Sequence, residues 1–150
     1  MVIQLITPEF FDLEIYSVYK AISELIGEDA WKVVWRSGEI LLNEIWEELG
    51  LEEVDVFEAL RRLADYLKEA GYISEIRIKR EGDVISYEMT EPVVARGAKR
   101  LIEEGLVPPH ISTSLMFALL KRKGYVAEMI GEPEFLPDGR VVERWQLREM

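Results

Sequence analysis

The sequence contains no cysteine and a single histidine, His110. A chain without cysteine cannot form disulfides or thiolate metal sites, and it cannot use a thiol as a nucleophile. Zinc would need histidine or carboxylate ligands, and one imidazole is available. The composition therefore predicts no metal site, no cofactor and no sulfur chemistry.

Long apolar segments and an excess of positive charge are also missing. No apolar run approaches the roughly 20 residues that span a bilayer, and residues 1–6 lack the basic leader of a secretory signal. We therefore expect no membrane span and a cytoplasmic location. The 18 basic and 29 acidic residues give a net charge of -11, which disfavours nucleic acid as a partner because phosphate contacts need Lys and Arg.

What the sequence does contain is helical and strand periodicity within 150 residues, enough for one domain. Caps, prolines and glycines predict helices over residues 8–26, 28–49, 55–71, about 92–105 and from Ser112, Thr113 or Ser114 to about 123. Two antiparallel hairpins are predicted, one around Glu81-Gly82-Asp83 and one around Pro137-Asp138-Gly139. This order indicates an α+β fold with N-terminal helices packed on an antiparallel sheet made of two hairpins.

The second predicted helix carries an aromatic and aliphatic stripe at helical spacing. Gly38 lies near the middle of this stripe, where a side chain would normally fill space. Either another helix approaches closely there or a cavity opens beside the tryptophans. Core packing or a dimer interface explains most such stripes, whereas an apolar ligand pocket would need a polar anchor such as Arg36, Ser37 or Tyr16. The stripe comprises Trp31, Trp35, Leu42, Trp46 and Leu49.

Two further groups could carry chemistry. His110 follows two prolines and precedes a helix, so it could project a base or a ligand into a cleft, although most lone histidines are exposed or hydrogen-bonded loop residues. Glu132, Glu134 and Glu143 could pair as acid and base across the terminal hairpin. Because Glu is abundant in this chain, a solvated charged face is the commoner explanation for these three.

A winged-helix DNA-binding arrangement is an alternative for residues 60–91, where a helix precedes a hairpin. The predicted reader helix, residues 55–71, has one more acidic than basic residue, and so does the hairpin segment 72–90. This charge disfavours duplex binding.

The element order and three stretches of sequence resemble the 4-vinyl reductase domain family, whose fold is shared with TRAPP vesicle-tethering subunits and is related to haem nitric-oxide-binding domains. The stretches are residues 34–38, residues 84–97 and the terminal hairpin. In the hairpin, the family pattern C-x3-G-x3-C-x-F is matched by Phe135, Gly139, Glu143 and Trp145. The glycine and the aromatic agree with that pattern, and both cysteines are replaced, so the resemblance implies no thiol or metal chemistry here.

The resemblance implies an apolar cavity between the helices and the sheet. Our leading hypothesis is a homodimeric, non-catalytic binding or regulatory domain for a small hydrophobic ligand. A tetrapyrrole-related reductase or accessory protein, with Glu143 or His110 moving protons, and a winged-helix regulator are the alternatives. The predicted ligand-binding residues are Trp31, Trp35, Arg36, Gly38, Leu42, Trp46 and His110.

Overall fold

The computed structural model describes residues 5–150. Its first helix, α1, spans Pro8–Ile26, as predicted. The side chain of Thr7 accepts a hydrogen bond from the backbone N–H of Phe10, and Pro8 occupies the first turn, where its missing N–H costs nothing. These local capping signals therefore account for where the helix begins.

The second helix is shorter than predicted. Gly27–Asp29 forms a 3-10 turn, α2 spans Ala30–Ile45, and the chain then turns to Gly50, which adopts a left-handed conformation with φ of 62°. The third helix, α3, spans Val56–Glu69, and the Asp55 carboxylate caps it by accepting from the Glu58 N–H at 2.9 Å. The predicted start of this helix at Asp55 is therefore confirmed, with Asp55 as its N-cap.

Two more helices follow the first hairpin. Helix α4 spans Ala95–Glu103, and α5 spans Ile111–Arg122. Helix α5 begins directly after His110, earlier than the predicted cap at residues 112–114. Those three hydroxyl residues are buried inside the first turn of the helix, so the prediction that one of them caps it was wrong.

The strands form one antiparallel sheet. They are β1 (Glu75–Glu81), β2 (Val84–Thr90), β3 (Tyr125–Met129), β4 (Glu134–Phe135) and β5 (Arg140–Glu149). The order is β1-β2-β5-β3, with β4 pairing with β5 beyond the end of β3. The α+β prediction is confirmed, with one difference: the first strand of the second hairpin is split into β3 and β4.

Helix α5 lies at the centre of the fold. It packs against α2, α3 and β3, and its first ten residues include eight that are buried. The main core joins it to the inward faces of β2 and β5, whereas a smaller core lies under α1 and α4. The first hairpin belongs to this core, because Ile85 and Tyr87 of β2 are buried and pair with Trp145 and Glu143 of β5. It is therefore part of the sheet, unlike the free wing that a winged-helix regulator would present.

Helix α1 turns its more polar side to the protein. Tyr16, Tyr19 and Ser23 are its buried residues, and the Tyr16 hydroxyl donates to Glu104 at 2.7 Å. Several apolar residues of the same helix point outward, with Leu25 83% exposed and Val18 40% exposed, whereas Ile15 and Ile22 pack partly against the smaller core. Within residues 5–150, no helix has the length and hydropathy needed to cross a membrane.

Candidate functional site

A groove opens between α2, α5 and the edge strand β3. We call it the tryptophan groove, and its volume is about 540 Å³. Aromatic and aliphatic side chains form most of its wall, with Glu39, Lys121 and Glu128 at its polar edges. Its apolar lining comprises Trp31, Trp35, Phe117, Ala118, Tyr125, Val126, Ala127 and Met129.

The wall of this groove is a cluster of nearly parallel rings. The centroid of the His110 ring lies 5.7 Å from that of Trp31 and 6.2 Å from that of Trp35. Trp35 also stacks on Phe117 at 5.3 Å, and Phe117 meets Trp145 edge to face at 5.0 Å. Rings held on several sides in this way keep their orientation, because each contact adds stabilisation beyond simple area burial.

Behind the rings lies a buried carboxylate. Glu143 is 2% exposed, and its Oε1 accepts hydrogen bonds from Thr113 Oγ1 at 2.6 Å and from Trp145 Nε1 at 3.0 Å. Its Oε2 lies 3.4 Å from His110 Nδ1, and the His110 side chain is 7% exposed. The expectation that Glu143 belongs to a solvated face was wrong, whereas Glu132 and Glu134 are exposed.

Burial of this carboxylate is possible because several groups compensate its charge. A lone buried charge costs several kcal/mol. Here two donors and an imidazole surround the group, and one of the donors, Thr113, lies in the first turn of α5. The N-terminal end of a helix carries partial positive charge, which favours a nearby anion. Glu143 thus joins β5 to the start of α5.

Two tyrosines border the same polar region. The hydroxyl of Tyr87 is hydrogen-bonded to Ser112, next to Thr113 on α5. Burial raises the pKa of Tyr87 far above its usual range, the bond to Ser112 opposes that shift, and the charge of Glu143 adds to it. Burial likewise raises the pKa of Tyr72. Both hydroxyls therefore stay protonated, and that of Tyr87 serves as a neutral hydrogen-bonding group.

His110 separates two spaces of different size. On its inner side is a chamber of about 40 Å³ bordered by Glu143, Ser112 and Thr113, which is large enough for water. On its outer side is a second groove of about 370 Å³, which we call the His110 groove. Trp31 and Met129 border both this groove and the tryptophan groove.

The structure brings some of the predicted site residues together. Trp31, Trp35 and His110 form one ring cluster, as described above. Gly38 instead marks the crossing of α2 and α5, because a Cβ atom there would lie 2.4 Å from the backbone carbonyl of Ser114. Of the two alternatives that the sequence left open at Gly38, the structure shows close helix approach.

The other predicted residues lie away from both grooves. Leu42 is fully buried in the main core. Trp46 is 8% exposed, and the Arg122 guanidinium lies 3.8 Å from its ring centroid. Arg36 is exposed and lies 3.9 Å from Glu39. These three residues border neither groove, and their role in binding stays a prediction.

Phe117 was not predicted from the sequence, and Glu143 was named as a candidate acid or base but explained mainly as part of a solvated face. Phe117 gave no pattern of its own, since α5 is apolar on most sides. Glu143 was considered and assigned to the surface, although a signal was present: it alternates with Val141, Trp145 and Leu147, which are all buried. A charged residue in phase with three large apolar ones on a strand occupies the inner face. Within residues 5–150, no three His, Asp or Glu side chains cluster as a metal site.

Comparison with known proteins gives a match in structure alone. No protein-family model matches the chain, and no curated protein matches it in sequence. A solved structure, the trafficking protein particle complex subunit 3 from Naegleria fowleri covalently bound to palmitic acid, aligns with a TM-score of 0.60 and 14% identity over 95% of each chain. This likeness shows that the fold is that of a TRAPP subunit. Membership of the 4-vinyl reductase family stays a prediction.

Proposed function

We propose that the chain is a non-catalytic binding or regulatory domain for a small hydrophobic ligand, and that the ligand lies in the tryptophan groove. The observation that carries this proposal is the groove itself. Its volume of about 540 Å³ lies within the range of roughly 300 to 1,000 Å³ of ligand pockets, which are mostly apolar with a few polar groups. Stacking of Trp35 between His110 and Phe117 supports a space that persists when empty.

The structural neighbour adds support for the class of ligand. That protein carries palmitic acid, and an acyl chain is a ligand that an aromatic and aliphatic groove would accommodate. Because this chain has no cysteine, it cannot hold an acyl group as a thioester. We therefore propose reversible, non-covalent binding.

A titration with methyl decanoate, followed by tryptophan fluorescence and by the thermal midpoint Tm, tests the proposal. We expect saturable binding and a rise in Tm, because a ligand that binds the native state stabilises it. The Ala127→Phe variant should lose this response, since the new ring fills the groove. The matched control is Ala70→Phe at the exposed end of α3. No response from the unmodified chain, or equal responses from both variants, would refute the proposal.

We also propose that the chain pairs with a second copy of itself through α1. Support comes from three exposed apolar residues of that helix, Phe11, Val18 and Leu25. With the half-buried Ile15 and Ile22 between them, they form a series whose alternating spacing of four and three residues matches a two-helix seam. Light scattering should give twice the chain mass for the unmodified chain and a monomer for Val18→Glu. The control Glu14→Gln should stay dimeric. A monomer at tens of micromolar would rule out this pairing. A cytoplasmic location remains part of the proposal.

A further inference from the structure

The His110 ring lies between a buried carboxylate and an outer groove. This arrangement indicates the chemical nature of the polar end of the ligand. The inference rests on the proposed function, since it names the headgroup of the same ligand. Three features support it: Glu143 lies against the inner side of His110, a groove lies on the outer side, and the two grooves adjoin.

From behind, Glu143 holds one nitrogen of the ring. Nδ1 lies 3.4 Å from Glu143 Oε2, and Glu143 is itself fixed by Thr113 and Trp145. A carboxylate placed against one imidazole nitrogen sets the tautomer of the ring and compensates the positive charge that the ring gains on protonation. The rings of Trp31 and Trp35 both stack on the imidazole and restrict its rotation.

In front, the second ring nitrogen has no protein partner. Among residues 5–150, Nε2 forms no hydrogen bond, and no fully buried side-chain nitrogen or oxygen there lacks a partner. Nε2 must therefore reach open space. Nδ1 lies on the side of Glu143, which borders the inner chamber. Because the two nitrogens of an imidazole diverge, Nε2 points away from Glu143 and toward the His110 groove, which His110 also borders.

The two grooves adjoin at Trp31 and Met129, which border both. Trp31 is 38% exposed. An apolar chain that passes these two side chains can begin at His110 and continue over Trp35 and Phe117. A ligand with one polar end and one long apolar end fits this layout.

We propose that Nε2 of His110 binds the carboxyl group of a long-chain carboxylic acid. A carboxyl group matches the ring in either protonation state. A neutral ring that carries its proton on Nδ1 accepts the proton of a carboxylic acid, and a protonated ring donates Nε2–H to a carboxylate. In both cases one proton lies between Nε2 and the ligand oxygen. The second arrangement is a charge-assisted hydrogen bond, which is about twice as strong as a neutral one. An ester has neither the proton nor the charge.

Other charged groups bear on this assignment. Glu132 also borders the His110 groove and repels a carboxylate at its mouth. Lys121 borders the tryptophan groove and is the competing anchor at the opposite end. The two carboxylates near Lys121 each lie close to an arginine, Glu39 to Arg36 at 3.9 Å and Glu128 to Arg148 at 3.5 Å.

The test compares three ligands of equal chain length: decanoic acid, 1-decanol and methyl decanoate. We expect the unmodified chain to bind the acid about tenfold or more tightly than the ester, with the alcohol between them. His110→Asn should bring the acid and the ester to equal affinity while keeping ester binding. Asn suits this position because His110 has a positive φ of 42°, which Asn tolerates.

Further variants separate the anchors. Glu143→Gln should reduce the preference for the acid, because it removes the charge behind the ring, and Glu132→Gln should increase it. Lys121→Met is the control and should leave the preference unchanged. Equal binding of acid and ester by the unmodified chain overturns the His110 assignment while leaving the groove proposal standing. Loss of the preference in Lys121→Met, with His110→Asn unaffected, also overturns it. If the unmodified chain binds none of the three ligands, the proposed function itself is refuted.

Discussion

The two ends of α2 carry tryptophans on one apolar stripe, and their surroundings differ completely. At the C-terminal end, Trp46 and Leu42 are closed into the main core, and the Arg122 guanidinium covers the Trp46 ring at 3.8 Å from its centroid. At the N-terminal end, Trp31 and Trp35 form the wall of a groove. Periodicity predicts which face of a helix is apolar, whereas the neighbouring elements decide whether that face is covered.

The largest loss of stability is expected for a substitution at Gly38, which lies between the two ends. Gly38→Leu should destabilise the fold by about 3 kcal/mol or more, because a larger side chain must displace the backbone of Ser114. Urea unfolding would measure the loss. The Ser37→Leu control, at an exposed position on the same helix, should change little. Wild-type stability in Gly38→Leu would contradict the close crossing of α2 and α5.

Truncating each tryptophan in turn sharpens the contrast. Trp46→Ala should cost about 3 to 5 kcal/mol, as expected for removal of a buried aromatic side chain. Trp31→Ala should cost about 1 kcal/mol, since its ring is partly exposed and mainly stacks on Trp35 and His110. Chemical denaturation of both variants measures the difference. Equal losses would mean that the groove end is part of the core.

The smallest expected effect concerns the cation over Trp46. Arg122→Ala should cost about 0.5 to 1 kcal/mol through loss of the cation–π contact. Arg36→Ala, which breaks an exposed pair with Glu39, should cost less than about 0.5 kcal/mol. Thermal unfolding compares the two. If Arg36→Ala proved the more destabilising variant, the exposed ion pair on α2 would contribute more to stability than the contact of Arg122 with Trp46.

Local signals predicted the parts of this fold that depend on neighbours in sequence. Thr7, Pro8 and Gly27 define α1 by themselves, and its predicted bounds are those observed. The start of α5 was placed too late because Ser112, Thr113 and Ser114 resemble capping residues. In the fold, Thr113 bonds Glu143 and Ser112 bonds Tyr87, both of which lie far away in sequence.

In the candidate site, too, some residues are predictable from the local sequence and others depend on contacts that are distant along the chain. Trp31 and Trp35 could be found from helical spacing, and His110 from its rarity. Their association with Phe117 and Glu143 depends on how α2, α5 and β5 come together, which no spacing along the chain specifies. The predicted TRAPP-like fold is confirmed. The terminal hairpin, for which the resemblance implied no thiol or metal chemistry, carries the buried carboxylate of the candidate site.

The position of β5 has a consequence for how the chain folds. In the part of the chain that the structure describes, β2 and β3 meet no other strand in common, since each pairs with β5 from opposite sides. Until residues 140–149 are available, the earlier segments can form helices and a hairpin but cannot assemble a continuous sheet. Pairings between strands so distant in sequence form slowly. Completion of the sheet, and with it the tryptophan groove beside β3, should therefore be a late event in the folding of this protein.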